Sequence, residues 1–176
     1  GNLVPGITQV LKDVGIIDIS HYTDTAALRG TAVHEAVQMI AKHLMPETAW
    51  DGTDLEGYIA AWKRFLADSK FKVQHCERLV GDQVYRYATH IDLEGELGGH
   101  ATVIDIKSGS LQAWHGIQLA ANTMLNDRLD RHVLQLNSDA TYRLHSEWKG
   151  EAFGSRLWDQ VWLGCIHLYW WKRNVA

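Results

Sequence analysis

The sequence has few of the features that mark secreted, membrane-spanning or nucleic-acid-coating proteins. Its 176 residues include only two cysteines, too few for a disulfide framework or for a four-cysteine metal site. No apolar run reaches the roughly 18 residues that cross a membrane, and no segment resembles a signal peptide. Seventeen Lys and Arg against 21 Asp and Glu argue against a general basic surface, although a local basic groove stays open. We therefore expect a cytoplasmic protein that is not bound to a membrane.

Proline is equally scarce. Pro5 and Pro46 cannot form a Pro-rich linker, and no repeat or low-complexity segment divides the chain. Apolar residues make up 46% of the sequence and charged residues 22%, proportions typical of a folded chain rather than a disordered one. We expect residues 1–176 to form one domain with a continuous core.

The spacing of apolar residues predicts helices at both ends of the chain and strands between them. Helices are predicted over 7–14, from Thr23 or Asp24 to Leu44, and over 55–67, 114–129 and 155–171. Strands are predicted over 71–80, 84–93, 101–107, 132–136 and 140–148, with turns at Gly81-Asp82 and Gly98-Gly99. This order predicts a mixed α/β (α+β) fold in which a three-stranded antiparallel meander is extended by one or two strands and flanked by helices.

The second predicted hairpin brings two carboxylates together. A tight turn at Gly98-Gly99 places Asp92 directly opposite Asp105, with Cβ atoms roughly 4.5–5.5 Å apart. Lys107 shares the face of Asp105, because side chains alternate along a strand. The other, buried face is predicted to hold Ile91, Leu93, Ile104 and Ile106. Facing carboxylates repel each other, so the pair favours a bound divalent cation, the alternative being solvated acids on an open sheet face.

The predicted registers also place two neighbouring side chains. A turn at Gly81-Asp82 pairs Glu77 with Arg86, roughly 20 Å along the strand from the facing carboxylates. Glu77 is therefore predicted to lie outside the metal site. The turn of the second hairpin places His90 opposite Lys107, where the imidazole could tune or crowd the lysine.

Four short segments, in a fixed order, carry a resemblance to a known family. They are Arg29-Gly30-Thr31-Ala32-Val33-His34-Glu35, Ile91-Asp92-Leu93, Ile104-Asp105-Ile106-Lys107-Ser108-Gly109 and Gln118-Leu119-Ala120-Ala121. With the helical tail, they resemble the PD-(D/E)XK nuclease superfamily, more narrowly its RecB-like branch of phage and bacterial exonucleases. The resemblance implies a restriction-endonuclease-like core and a metal-dependent DNA nuclease, expected to be an exonuclease, that leaves 5′-phosphate and 3′-hydroxyl ends.

The resemblance also implies a role for each matched residue. The implied metal ligands for Mg²⁺ or Mn²⁺ are His34, Asp92, Asp105 and the backbone carbonyl of Ile106. Lys107 is implied to lie beside the attacking water, so that the expected catalytic residues are Lys107 and the two aspartates. Gln118 is implied to hold the site or the DNA backbone. Asn122 stands where the family often has a tyrosine.

Elementary chemistry gives these assignments a reason. A phosphodiester is anionic, so hydrolysis requires a cation that neutralises charge and activates water. Oxygen ligands suit Mg²⁺, and an imidazole favours Mn²⁺. Lys107 could orient the water, accept its proton or stabilise charge in the transition state, and the sequence does not choose among these. His34 lies at the margin of the apolar stripe of its helix, so a hydrogen-bonded core histidine is the alternative to a ligand.

The expected partners follow from this interpretation. DNA is the expected substrate, and a homo-oligomer and a recombination or repair protein are the expected protein partners, in the cytoplasm of a bacterium or a phage-infected host. The competing hypothesis is a catalytically inactive DNA-binding or interaction module on a nuclease fold. The complete set His34, Asp92, Asp105 and Lys107 argues against it, because binding alone does not require these four groups.

Overall fold

The computed structural model describes residues 4–18, 24–125 and 130–175. These residues form five α-helices, one 3₁₀ turn and two β-sheets. The helices are α1 (Ile7–Asp13), α2 (Asp24–Ala41), α3 (Glu56–Ser69), α4 (Trp114–Thr123) and α5 (Arg156–Val175), and the 3₁₀ turn is Glu47–Trp50. The strands are β1 (Lys72–Asp82), β2 (Tyr87–Leu97), β3 (His100–Lys107), β4 (Asp130–Leu136), β5 (Tyr142–His145), β6 (Glu147–Trp148) and β7 (Glu151–Ala152).

The main sheet has the strand order β1-β2-β3-β4-β5. The first three strands form the predicted antiparallel meander, β4 lies parallel to β3, and β5 is antiparallel to β4. A parallel pair needs a crossover connection, and α4 provides it between β3 and β4. The remaining strands, β6 and β7, form a separate ribbon. The mixed α/β prediction is confirmed, and the restriction-endonuclease-like arrangement stays a prediction.

Helices cover both faces of the main sheet. On one face α1, α4 and α5 pack around Tyr87 and Trp162, and on the other α2 and α3 pack around Trp62 and Phe65. All four of these aromatic side chains are fully buried. No helix in the described ranges combines the length and the apolar character needed to cross a membrane.

The faces of β2 do not alternate as the sequence predicts. Leu93, Ile104 and Ile106 pack under α2 and α3, as expected, but Ile91 packs on the opposite face. The prediction that Ile91 shares their face is wrong. The hydrogen-bonded ladder between β2 and β3 ends at Leu93 and does not include Ile91. Asp105 is only 1% exposed, so this carboxylate does not lie on an open, solvated sheet face.

The second hairpin has the predicted register. Gly98 and Gly99 have φ angles of 58° and 87°, the left-handed conformation that a two-residue hairpin turn requires. Leu97 therefore pairs with His100, and the ladder continues to the pair of Leu93 with Ile104. The two aspartates occupy the positions directly beyond that last pair.

The turn of the first hairpin lies later than the sequence predicts. Asp82 pairs with Tyr87, so residues 83–86 form the loop and the predicted turn at Gly81-Asp82 is wrong. The Asp82 carboxylate accepts a backbone N–H group of the loop at 2.6 Å, and Arg86 closes the loop with a φ of 57°. The predicted pair of Glu77 with Arg86 is consequently not formed.

Several helix and strand ends also differ from the prediction. The helix α4 ends at Thr123, where the threonine hydroxyl donates to the Leu119 carbonyl at 2.9 Å and competes with the helical backbone bonds. Predicted helix residues 126–129 and the cap Thr23 lie outside the described residues. The helix α2 ends at Ala41 rather than Leu44, and the predicted strand 140–148 is divided into β5 and β6.

Replacing either of two helical glycines by alanine should change the stability of the protein, in opposite directions. A Cβ atom added at Gly57, in the first turn of α3, would lie 1.8 Å from the backbone carbonyl oxygen of Ser138. Gly57→Ala should therefore lower the free energy of unfolding by about 1–3 kcal/mol. At Gly164, inside α5, such a Cβ would meet no atom within 4 Å, so Gly164→Ala should raise that free energy by roughly 0.5–1 kcal/mol. Chemical denaturation measures both, and a neutral Gly57→Ala would contradict the close approach of α3 to the β4–β5 loop.

Candidate metal centre

Three side chains from three different elements converge beside the middle of α2. They are His34 of α2, Glu77 of β1 and Asp92 of β2, and one potential ligand atom of each lies within 4.8 Å of the other two. Asp92 is buried, while His34 and Glu77 are partly exposed, so the group is open to one side. One imidazole and two carboxylates form a donor set that could hold a metal ion.

The His34 ring is held in one orientation by the backbone of β3. Its Nε2 lies 2.8 Å from the Ile106 carbonyl oxygen, which can only accept, so Nε2 carries the proton. In the neutral ring, Nδ1 then presents a lone pair, and it lies 3.4 Å from Asp92 Oδ2. A cation between these two acceptors would stabilise both. Metal-binding histidines are commonly oriented in this way, with the ring N–H that does not face the metal donating to a backbone carbonyl. The side chain is 26% exposed, which does not fit a buried core histidine.

The backbone of β3 also fixes Asp92. The Ile106 N–H group donates to Asp92 Oδ2 at 2.7 Å. Ile106 therefore orients both His34 and Asp92 through its own peptide groups. Its carbonyl already accepts the His34 N–H bond, and its additional role as a metal ligand stays a prediction.

Glu77 belongs to the cluster, contrary to the sequence-based register. Cys76 pairs with Leu93, and Arg78 pairs with Ile91. These pairs on either side place Glu77 opposite Asp92. Glu77 has a φ of 52°, a left-handed conformation that costs on the order of 1–3 kcal/mol for a residue with a side chain. Burial, and then the Asp92 charge, raise the pKa of Glu77. Its predicted position far from the site is wrong because the turn of the first hairpin lies later in the chain.

Replacing Glu77 tests whether the third donor takes part in metal binding. Glu77→Gln removes the charge but keeps the size of the side chain, so we expect the affinity for Mn²⁺ to fall by about tenfold or more. Isothermal titration calorimetry measures this change. The matched control is Glu96→Gln, an acid of β2 whose carboxylate pairs with Lys72 at 2.8 Å on the surface. Equal affinities for wild type and Glu77→Gln would remove Glu77 from the site.

The buried Asp105 and the partly buried Lys107 form an ion pair next to this cluster. Lys107 Nζ lies 2.6 Å from Asp105 Oδ2, which confirms that the two side chains share a face of β3. Asp105 Oδ1 is buried and accepts no hydrogen bond from the described residues. Burial raises the pKa of Asp105 to about 6, against the opposing effect of Lys107. Asp105 is not among the three converging side chains, so its role as a metal ligand stays a prediction.

A cleft opens on one side of His34. It has a volume of about 730 Å³ and is bordered by α2, the end of β3 and the start of α4. Arg29 and Lys107 both line it, and among the described lining residues Asp18 is the single carboxylate. A second, smaller cleft of about 360 Å³ lies on the other side of His34 and includes Glu77. The protein is acidic as a whole, but the larger cleft carries cationic side chains beside the candidate metal ligands.

Three other residues singled out by the sequence lie away from this arrangement. Gln118 is in α4 but does not line either cleft, and its Oε1 is buried without a hydrogen-bond partner among the described residues. Asn122 is 1% exposed and bonds to the Thr89 hydroxyl through Oδ1 at 3.1 Å, which ties α4 to β2. His90 is exposed, and the ladder between β2 and β3 ends at the pair of Leu93 with Ile104, so the predicted pairing of His90 with Lys107 is wrong.

Sequence reasoning wrongly excluded one residue of this region, Glu77, and did not single out another, His115. Glu77 could have been found from the position of an acid on the first strand, had the hairpin register been correct. His115, at the start of α4, lines the larger cleft and is 3% exposed. No local sequence pattern marks His115, because its place at the cleft depends on how α4 packs beside the end of β3.

The chain matches no known protein-family model, and no curated protein matches it.

Proposed function

We propose that this chain is a metal-dependent DNA nuclease of the RecB-like kind, which hydrolyses phosphodiester bonds from DNA ends and leaves 5′-phosphate and 3′-hydroxyl groups. The observation that carries the proposal is the convergence of His34, Glu77 and Asp92 next to the ion pair of Asp105 and Lys107. The proposal includes a restriction-endonuclease-like core, a location in the cytoplasm of a bacterium or phage-infected cell, and a homo-oligomer or a repair protein as partners.

The residues present fit a divalent cation. The His34 Nδ1 lone pair faces a carboxylate oxygen of Asp92, and the buried Oδ1 of Asp105 accepts no hydrogen bond from the described residues. His34 Nδ1 and Asp105 Oδ1 therefore each present a lone pair that accepts no hydrogen bond from the described residues, while Asp92 Oδ2 accepts the Ile106 N–H group. His34, Asp92 and Glu77 would hold the ion, with Asp105 added when its carboxylate turns from Lys107. The bound ion would neutralise the phosphodiester charge and activate water.

The chain's own groups would orient the reactants. Lys107 lies between Asp105 and the Trp114 ring, whose centroid is 5.9 Å from Nζ, and these two contacts hold it among the residues that line the cleft. There it would donate to a water molecule or to a phosphate oxygen whose charge increases in the transition state. Arg29 would bind a phosphate farther along the same cleft.

Incubation with end-labelled linear DNA and with closed circular DNA tests the proposal. We expect Mg²⁺ or Mn²⁺ to support stepwise loss of nucleotides from linear DNA, EDTA to abolish it, and circular DNA to survive. Asp92→Asn purified in parallel controls for a contaminating nuclease, because a contaminant would cut in both preparations. DNA binding without cleavage by either ion would favour the inactive DNA-binding module, and rapid cleavage of circles would replace exonuclease action with endonuclease action.

A further inference from the structure

The His115 imidazole caps the start of α4. The Gln112 backbone N–H donates to His115 Nδ1 at 3.0 Å, and the Gln112 carbonyl accepts the His115 backbone N–H at 3.1 Å. This reciprocal pair resembles a capping box, in which a side chain of the first turn satisfies a backbone donor that the helix leaves free. The ring position is therefore fixed by the backbone.

The cap also determines where the proton of the ring lies. A backbone N–H can only donate, so Nδ1 must be the acceptor and the proton of the neutral ring must be on Nε2. Burial, and then the nearby Lys107 ammonium, lower the pKa of His115 to about 2, so the ring is neutral at physiological pH. None of the described residues accepts a hydrogen bond from Nε2.

The surroundings of His115 indicate what this N–H group could bind. His115 lines the same cleft as Lys107, and the Trp114 ring contacts both, with its centroid 4.1 Å from the His115 ring centroid and 5.9 Å from Lys107 Nζ. Ser108 and Ser110 also line the cleft. A neutral donor at this place adds a hydrogen bond for an anion without adding a second positive charge beside Lys107.

We propose that the Nε2–H group of His115 binds a non-bridging phosphate oxygen of the DNA backbone in this cleft. The inference rests on the proposed function, since DNA is the ligand that brings a phosphodiester to the site. It assigns two roles to one ring: Nδ1 fixes the helix start, and Nε2 positions the substrate. His115 would thus be a substrate-binding residue outside the matched family motifs.

Two substitutions separate the roles of the two ring nitrogens. In His115→Asn the side-chain oxygen can replace Nδ1 as the acceptor for Gln112, but no group reaches the place of Nε2. In His115→Gln the terminal NH₂ group can replace the Nε2 donor, and glutamine is also a residue whose side-chain oxygen can accept the Gln112 N–H bond of a capping box. In single-turnover cleavage with Mn²⁺, His115→Asn should raise the half-saturating DNA concentration by about tenfold, the effect of losing one hydrogen bond to a charged group. The half-saturating concentration of His115→Gln should stay near that of the wild type.

The opposite pattern would overturn the inference. If His115→Asn has the half-saturating DNA concentration of the wild type, His115 serves only as a helix cap, whatever the effect of His115→Gln. Thermal melting shows whether either variant has lost its fold. If both have, the unsubstituted protein labelled with ¹⁵N-histidine decides the question: the dinucleoside monophosphate TpT, added with Ca²⁺, should shift the Nε2 signal of His115. An unchanged signal overturns the proposal.

The same spectra keep this inference separate from the proposed function. A wild type that never cuts DNA, yet whose His115 Nε2 signal responds to TpT, would reject the nuclease and retain the phosphodiester-binding histidine. If the wild type cuts DNA and His115→Asn leaves the half-saturating DNA concentration unchanged, the nuclease proposal is retained and phosphate binding by His115 is rejected.

Discussion

Lys107→Ala should lower the rate of DNA cleavage by on the order of 10²–10⁴, while Mn²⁺ binding and most DNA affinity are retained. The ammonium group is a cation and does not ligate a metal, and DNA affinity comes largely from phosphate contacts spread along a groove. The lost group acts on water or on charge in the transition state, so the rate constant falls rather than the affinity. Single-turnover cleavage beside a filter-binding isotherm in Ca²⁺ measures the two effects separately.

The ion pair with Asp105 requires a matched set of controls. Removing Lys107 leaves a buried carboxylate without its counter-ion, which can destabilise the fold, so thermal melting accompanies each assay. Lys107→Met retains most of the apolar stem and should lose the same activity. Lys72→Ala breaks an exposed lysine–carboxylate pair of the same sheet, at 2.8 Å, and should cut at the wild-type rate. If Lys107→Ala also cuts at the wild-type rate, Lys107 has no part in the mechanism.

Asp92→Asn should lower the affinity for Mn²⁺ by at least about 100-fold, since even a change in the groups that support metal ligands costs about 10–100-fold. The amide oxygen can still accept the Ile106 N–H bond, so the substitution removes the charge and keeps the backbone contact. Asp105→Asn should lower the affinity to a similar extent. Isothermal titration calorimetry with Mn²⁺ measures both, and cleavage should be lost together with binding.

Glu96→Asn provides the control for both aspartate substitutions. Glu96 is a partly exposed acid of β2 that is not among the candidate ligands and pairs with Lys72. The Glu96→Asn variant should bind Mn²⁺ with the affinity of the wild type. Equal binding by the wild type, Asp92→Asn and Asp105→Asn would reject the metal centre, and equal binding by Asp105→Asn alone would limit it to His34, Glu77 and Asp92.

The predictability of each hairpin depended on which chemistry sets its turn. Gly98 and Gly99 adopt the left-handed conformation that glycine reaches most easily, so the register of β2 and β3 could be predicted from the sequence. In the first hairpin the loop is closed by the Asp82 side chain and by a left-handed Arg86. A non-glycine residue in that conformation is uncommon, and the sequence therefore favoured the wrong turn.

The candidate site was predictable to the extent that it depends on one strand. The shared face of Asp105 and Lys107 follows from the alternation of side chains within β3, and the structure confirms it. The position of Glu77 depends on the register between two strands, and one misplaced turn moved it out of the site. The positions of His115 and of the cleft depend on the packing of α4, which no local periodicity encodes.

The left-handed backbone of Glu77 implies a compromise between stability and activity. A residue in this conformation is retained at a conformational cost when its side chain is needed where it lies. Glycine adopts the same backbone without that cost, so Glu77→Gly should raise the melting temperature of the metal-free protein while weakening its binding of Mn²⁺. Selection for thermal stability alone would then act against the residue that supplies the third donor of the candidate cation site.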